Sequence, residues 1–365
     1  MKKKAIIGSI ISLVILIAML LVIDYRQLWG ALSRANYWYV LPYLVFVVFS
    51  MFLRAWRWQL LVKPLGRVGF RQMYASTMIG FMANNVLPAR LGEAVRAYSL
   101  GARTGISRSA LFGTIIVERM YDSFTLLVIL WLVFLFSKAA ASTEASAVKS
   151  FGYVFLAVNV VLLVLLVFLQ RRTDATLNRL SWLMRWLPQR IRHPARGIIE
   201  KFARGLTLAP GFSATVGIAL YSAALWVMMA VSSYLIFSAF GYSLSPGSGS
   251  HYLPLEATFV VLVVVSLAIT VPSTPGYFGV FHAGVILALK VYLDLPPKQF
   301  IGEAAAIAIV MHAANYVPIT LLGFYHLKAE HLKFRTTGGL IDVESTGAPG
   351  GAPDEQPGPP REEGR

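Results

Sequence analysis

Apolar residues in this chain fall in long runs, not at the alternating or three-to-four spacing of half-buried elements. The runs cover residues 5–23, 37–62, 120–136, 151–169, 212–240, 255–271, 277–293 and 300–327. Each is near the roughly 20 residues a helix needs to cross about 30 Å of hydrocarbon. The pattern predicts an all-α polytopic integral membrane protein of about eight transmembrane helices. Two shorter apolar pieces, 73–87 and 109–117, sit beside polar, Gly- or Pro-containing sequence. Irregular backbone at membrane depth is tolerated only inside protein or against a water-filled cavity, so they read as a re-entrant pair or broken segments. Full crossings there would raise the count to ten. The first run follows Lys2, Lys3 and Lys4, exceeds a usual secretory core and has no small-x-small cleavage site after it, so it reads as a membrane helix.

Composition supports this picture. The 365 residues are 57% hydrophobic and 14% charged, too few charges to cover a water-facing surface. The net charge of +16 sits between the apolar runs, which fits a membrane surface and not nucleic acid. With the N-terminus inside, segments 1–4, 63–119, 171–205 and 328–335 carry 23 Lys and Arg, against 5 in the opposite loops 24–36, 138–150, 241–253 and 294–299. The positive-inside rule then places both termini in the cytoplasm, with the chain in a bacterial or archaeal cytoplasmic membrane. Within 171–205, Trp182, Leu183, Trp186 and Leu187 can share a helical face flanked by arginines, which reads as a basic amphipathic helix at the interface. The domain reading is a membrane domain over 1–335 and a disordered cytoplasmic tail over 336–365, rich in Gly, Pro and Glu. There is no cysteine, metal-ligand spacing, phosphate-binding loop, nucleotide fingerprint or nucleophile elbow. No metal, cofactor or catalytic activity is expected.

Ionisable residues inside an apolar field are costly and point to function. Arg54 and Arg57 share a face near the end of the second run and read either as a phosphate-binding pair or as arginines snorkelling to the interface. In Asn84-Asn-Val-Leu-Pro-Ala-Arg-Leu-Gly-Glu93 an apolar segment breaks at Asn84, Asn85 and Pro88 and restarts near Leu91 and Gly92. A restarted helix attracts anions through free N–H groups, Arg90 offers a fork suited to phosphate, and Glu93 can pair with Arg96. Glu118, Arg119 and Asp122 open the third run, as an internal salt bridge or part of a site. Pro272, Pro275, Gly276 and Gly279 interrupt the stretch 255–293 just before His282, mirroring the first break. Interrupted segments in two halves of a chain point to a transporter's binding site. His312 and Asn315, with Tyr316 beside them, read as hydrogen-bonded packing residues.

These motifs in this order resemble the lysylphosphatidylglycerol synthase transmembrane-region family: Arg54-Ala-Trp-Arg-Trp58, Asn84 to Arg96, Glu118-Arg-Met-Tyr-Asp122, and Pro272-Ser-Thr-Pro-Gly276 followed by Gly279-Val-Phe. The resemblance covers residues 1 to about 330 and departs at His282, where the family commonly has an acidic residue. It implies a flippase-like domain that moves phospholipids or lipid-linked molecules, without the synthase's catalytic domain. Expected partners are membrane lipids, anionic or polyprenyl-linked, and a lipid-synthesis enzyme. Arg90 and Arg96 would meet a lipid phosphate, and Glu93, Glu118 and Asp122 would balance them or bind a cationic headgroup. The rivals are an intramembrane glycosyl or aminoacyl transferase using Glu93 or Asp122 as base, and a non-transporting partner of a lipid or polysaccharide enzyme.

Overall fold

The computed structural model describes residues 14, 17, 18, 20–87, 90–136, 153, 157, 160, 161, 197, 212–244, 251–270, 274–293, 295–330, 332–337 and 340–345. The expected spans 5–23 and 151–169 and the amphipathic segment 171–205 fall mostly outside the described residues, as do Pro88 and Pro272. Among the described residues three helices are long and apolar enough to cross a membrane: Tyr37–Val62, Ser213–Ala239 and Pro297–Ala329.

In chain order the helices are α1 (Tyr25–Arg34), α2 (Val40–Val62), α3 (Phe70–Val86), α4 (Gly92–Thr104), α5 (Arg108–Phe136), α6 (Phe212–Ala239), α7 (Leu255–Ala268), α8 (Val280–Leu289) and α9 (Pro297–Ala329). α1 lies where a plain outer loop was expected. The Asp24 side chain accepts the N–H groups of Arg26 and Gln27, a cap that a hydropathy reading does not register. α9 passes close to it at Gly302, where a Cβ would come within 2.6 Å of the Gln27 Cβ.

Residues 109–117 are not re-entrant. They continue without interruption into the third expected span as α5. Glu118, Arg119 and Asp122 lower the local hydropathy, but Glu and Arg are good helix formers and do not break a helix. The partner of segment 73–87 is instead α4. The two form a tight hairpin: a Cβ on Gly92 would lie 2.0 Å from the Gly80 carbonyl oxygen. The second break likewise yields a hairpin. α7 has 14 residues and α8 has 10, about 21 and 15 Å of helix, each short of a crossing. Gly284 of α8 packs against Val265 and Ala268 of α7.

Two apolar clusters define the ends of the molecule. One gathers the start of α2, the end of α6, the start of α7, the end of α8 and the start of α9 around Tyr43, Phe237, Leu289 and Phe300. The other gathers the end of α2, the start of α3, the end of α4 and the starts of α5 and α6 around Leu61, Met73, Leu100, Leu111 and Ile218. The α3–α4 hairpin therefore enters from one end and the α7–α8 hairpin from the other. α9 runs along both: Gly276 meets His312, Asn85 meets Tyr316 and Thr320, and Tyr74 meets His326.

Residues 242–243 and 251–252 pair as a short parallel ladder. Leu332–Thr337 also pairs with Leu340–Ser345 as an antiparallel ladder. The register sets Lys333 opposite Glu344 and Arg335 opposite Asp342.

Candidate functional site

The site is assembled from α2, α4 and α5. The buried stripe of α2 runs Tyr43, Val47, Ser50, Arg54, Arg57, Leu61, at helical spacing. It therefore drives two arginines into the protein, not out to the interface. Arg57 is fully buried. Its Nη2 pairs with Glu118 Oε1 at 2.8 Å, and its Nη1 pairs with Asp122 and donates to Ser222 Oγ at 2.8 Å. Arg96 Nη1 pairs with Glu118 Oε2 at 3.0 Å, and its guanidinium lies 3.9 Å from the Trp58 ring centre. Arg119 Nη2 reaches Glu118 Oε1 at 2.7 Å and Asp122 Oδ2 at 3.3 Å. Trp226 Nε1 donates to Asp122 Oδ1 at 3.3 Å. Glu118 thus collects three arginines. Such a network is strained by desolvation if any partner is lost.

Two further arginines stand outside that network. Arg54 donates to Met229 Sδ at 3.3 Å and lies 5.1 Å from the Phe81 ring centre. Arg90, at the α3–α4 turn with φ of 56°, donates to the Ile269 carbonyl and faces the Tyr277 ring at 5.5 Å. Neither has a carboxylate within ion-pair distance among the described residues. Glu93 is loosely held, with its Oε1 4.0 Å from Arg119 Nε.

Arg90 also joins the two hairpins, because Ile269 follows α7. Both tips are also bonded to α9. His312 Nε2 donates to the Gly276 carbonyl at 2.8 Å, and Asn85 Nδ2 donates to Thr320 Oγ1 at 2.8 Å. Gly276, at φ of 69°, fits between the Tyr316 ring and the Asn85 carbonyl, where a Cβ would clash with the ring at 2.6 Å. The second break is thus placed directly against the first.

Between the hairpins, α2, α5, α6 and α9 enclose a cavity of about 420 Å³. Its lining carries Arg54, Arg90, Glu93, Arg96, Arg119 and Asp122 together with apolar side chains such as Phe46, Val47, Met51, Met229, Val261 and Met311. Its size suits a headgroup with part of a chain. Of the residues expected at the site, Asn84, Asn85, Arg54, Arg90, Gly92, Glu93, Arg96, Arg119 and Asp122 border the cavity. Arg57 and Glu118 lie behind it and hold the wall. Asn84 Oδ1 accepts the Gly92 N–H at 2.8 Å, so this residue caps the restarted helix and occupies a donor assigned to an anion on sequence grounds. His282 packs behind His312, with ring centres 4.9 Å apart. Pro275, Gly276 and Gly279 shape the second turn, where Tyr277 is also at positive φ. Sequence reasoning left out Tyr43, Trp226, Met229 and Tyr277, and read His312 and Asn315, with Tyr316 beside them, as packing. All seven border the cavity. The spacing of His312, Asn315, Tyr316 and Ile319 on one face of α9 was the available signal. Trp226 and Met229 sit in a uniformly apolar helix and gave none.

These features define a polytopic helical membrane protein with a buried arginine–carboxylate network beside two helical hairpins that meet tip to tip. The chain belongs to the lysylphosphatidylglycerol synthase TM region family, whose model matches residues 6–323. It is 26% identical over 340 residues to the glycosyltransferase AglD of Haloferax volcanii, covering 87% of this chain and 52% of that protein. The chain thus spans about half the length of that relative. It is 26% identical over 345 residues to a UPF0104 membrane protein of Methanothermobacter thermautotrophicus, covering 88% of this chain and 94% of the relative. A UPF0104 membrane protein of Methanocaldococcus jannaschii is 24% identical over 335 residues, with 88% and 93% covered. No solved structure matches the chain.

Proposed function

We propose that this protein is a flippase that moves a phosphate-bearing lipid or lipid-linked molecule between leaflets. The observation that carries the reading is Arg54 and Arg90, two arginines without carboxylate partners, in a half-apolar cavity between hairpins that enter from opposite ends. An unpaired cation in low dielectric is costly unless an anion joins it. A phosphate satisfies Arg54 and Arg90, with Arg96 held in place by Glu118, while the apolar side chains of the lining take the start of a lipid chain. The tip contacts through Arg90, His312 and Asn85 are the joints that would separate as the hairpins move. The charge bias puts the α3–α4 hairpin on the cytoplasmic side. Purified protein in liposomes, assayed for leaflet exchange with a panel of labelled phospholipids and polyprenyl-linked lipids, tests this. Exchange no faster than in empty liposomes across the panel sinks it.

The similarity to about half of a glycosyltransferase favours a second reading, in which the domain serves lipid-linked transfer, by its own chemistry or beside an enzyme. Glu93 is then the better base, because Asp122 is held by Arg57, Arg119 and Trp226. Product formation from a labelled donor by the purified chain supports this reading over transport.

A further inference from the structure

We infer that the cavity prefers a phosphomonoester, a terminal phosphate with two charges, over a singly charged phosphodiester. The inference rests on the phosphate-site reading above and sharpens its substrate class. Among the described residues, five arginines (Arg54, Arg57, Arg90, Arg96 and Arg119) meet three carboxylates (Glu93, Glu118 and Asp122) at the cavity wall. The surplus is two positive charges, and the two arginines outside the ion-pair network account for it. A diester leaves one of them uncompensated beside apolar side chains; a monoester, at −1.5 to −2 near neutral pH, compensates both.

The unused donors point the same way. Arg54 and Arg96 are 7% and 2% exposed, yet Arg54 Nε and Arg96 Nε and Nη2 have no hydrogen-bond partner, and neither does Arg90 Nε. Buried donors without acceptors are rare and call for a ligand. A monoester presents three terminal oxygens and a diester two, so it can serve donors arriving from α2, from α4 and from the α3–α4 turn together. A lipid headgroup and a soluble phosphate ester share this chemistry. The apolar side chains that share the lining with the arginines favour the lipid.

The test uses the full chain purified in detergent, at fixed ionic strength and pH 7.5, titrated with three probes: short-chain phosphatidic acid, phosphatidylglycerol with the same acyl chains, and inorganic phosphate. We expect phosphatidic acid to bind at least about tenfold more tightly than phosphatidylglycerol, the worth of one more charge-assisted contact. Inorganic phosphate should bind more weakly than either. At pH 5 the monoester carries one charge and the preference should fall toward unity. Arg54→Gln removes one surplus charge without stranding a carboxylate, so the preference should collapse while phosphatidylglycerol binding survives. Arg54→Lys should restore most of it. General attraction to a chain of net charge +16 would persist after the loss of one charge, so an unchanged ratio in R54Q overturns the inference. Equal affinity for the two lipids in the parent protein also overturns it and leaves the broader reading standing. Binding of neither lipid defeats both. Phosphate binding as tightly as phosphatidic acid reassigns the site to a soluble ester and overturns the lipid source.

Discussion

The α3–α4 and α7–α8 hairpins approach each other from opposite ends, and both turn back where a continuous helix would have crossed. Their arms are held differently. In α3–α4 the arms are pressed together at Gly80 and Gly92, joined by a Ser76–Ser99 contact at 3.4 Å, and tied through Arg96 to the carboxylates of α5. In α7–α8 the arms meet less closely, since a Cβ on Gly284 would stand 3.2 Å from the Ala268 Cβ and 3.3 Å from the Val265 Cα, and the tip region is held by hydrogen bonds from His312 to the Gly276 carbonyl and from Arg90 to the Ile269 carbonyl. Charge with close packing makes one hairpin rigid. The other has arms set further apart at their glycine contact. A transporter with one fixed and one moving hairpin would be built this way, and α7–α8 is then the mobile part.

The largest effect should come from breaking the network behind the first hairpin. Arg57→Ala leaves Glu118 to Arg96 and Arg119 and Asp122 to Arg119 and Trp226, one buried cation short, and losing one partner of such a set costs about 3–5 kcal/mol. Thermal unfolding in detergent should show a large drop or no folded protein. A loss below about 1 kcal/mol would mean the carboxylates find other partners and the rigidity assigned to this hairpin is wrong.

A paired glycine substitution compares the hairpins directly. In Gly92→Ala the new Cβ would sit 2.0 Å from the Gly80 oxygen and 2.5 Å from Asn84 Oδ1, so the arms must spread; overpacking of this kind costs about 1–3 kcal/mol. In Gly284→Ala the nearest atoms, the Ala268 Cβ and the Val265 Cα, are 3.2 and 3.3 Å away, a shortfall of only a few tenths of an ångström, so the cost should stay below about 1 kcal/mol. Melting temperatures of the two variants measure the contrast. A reversed order would assign the tight hairpin to the wrong half.

Much of this comparison was legible in the sequence. Both breaks, the arginines and the acidic residues stood out because polar residues are rare in such a chain. Their partners were not legible. The charged triplet at 118–122 looked like a boundary because hydropathy falls there, although buried arginines from α2 and α4 neutralise it and the helix continues. Segment 92–104 was passed over as a span because it is short and contains arginines, yet its glycine and serine face lets it fold back on α3. Asn84 illustrates the other limit. Its type suggested a ligand contact, and only the fold shows that its oxygen already caps α4. Contacts between distant parts of the chain, such as Arg90 with Ile269, follow from which hairpin faces which, and no local pattern encodes that.

The smallest effect separates the structural charges from the free ones. Glu93 belongs to the first hairpin, but its side chain is 26% exposed and its nearest cation is 4.0 Å away, unlike Glu118. An ion pair this loose and this open to solvent contributes little, so Glu93→Gln should change stability by less than about 0.5 kcal/mol. Its effect on binding should be larger and opposite in sign to that of R54Q. Removing a negative charge from the cavity wall raises the surplus from two to three, and phosphatidic acid should bind several-fold more tightly. If Glu93 instead serves as the base of a transferase, the same substitution abolishes product formation and leaves lipid affinity nearly unchanged. Measuring unfolding, phosphatidic acid binding and transfer activity on this one variant therefore tells whether the free carboxylate tunes the charge of a carrier site or performs chemistry in it.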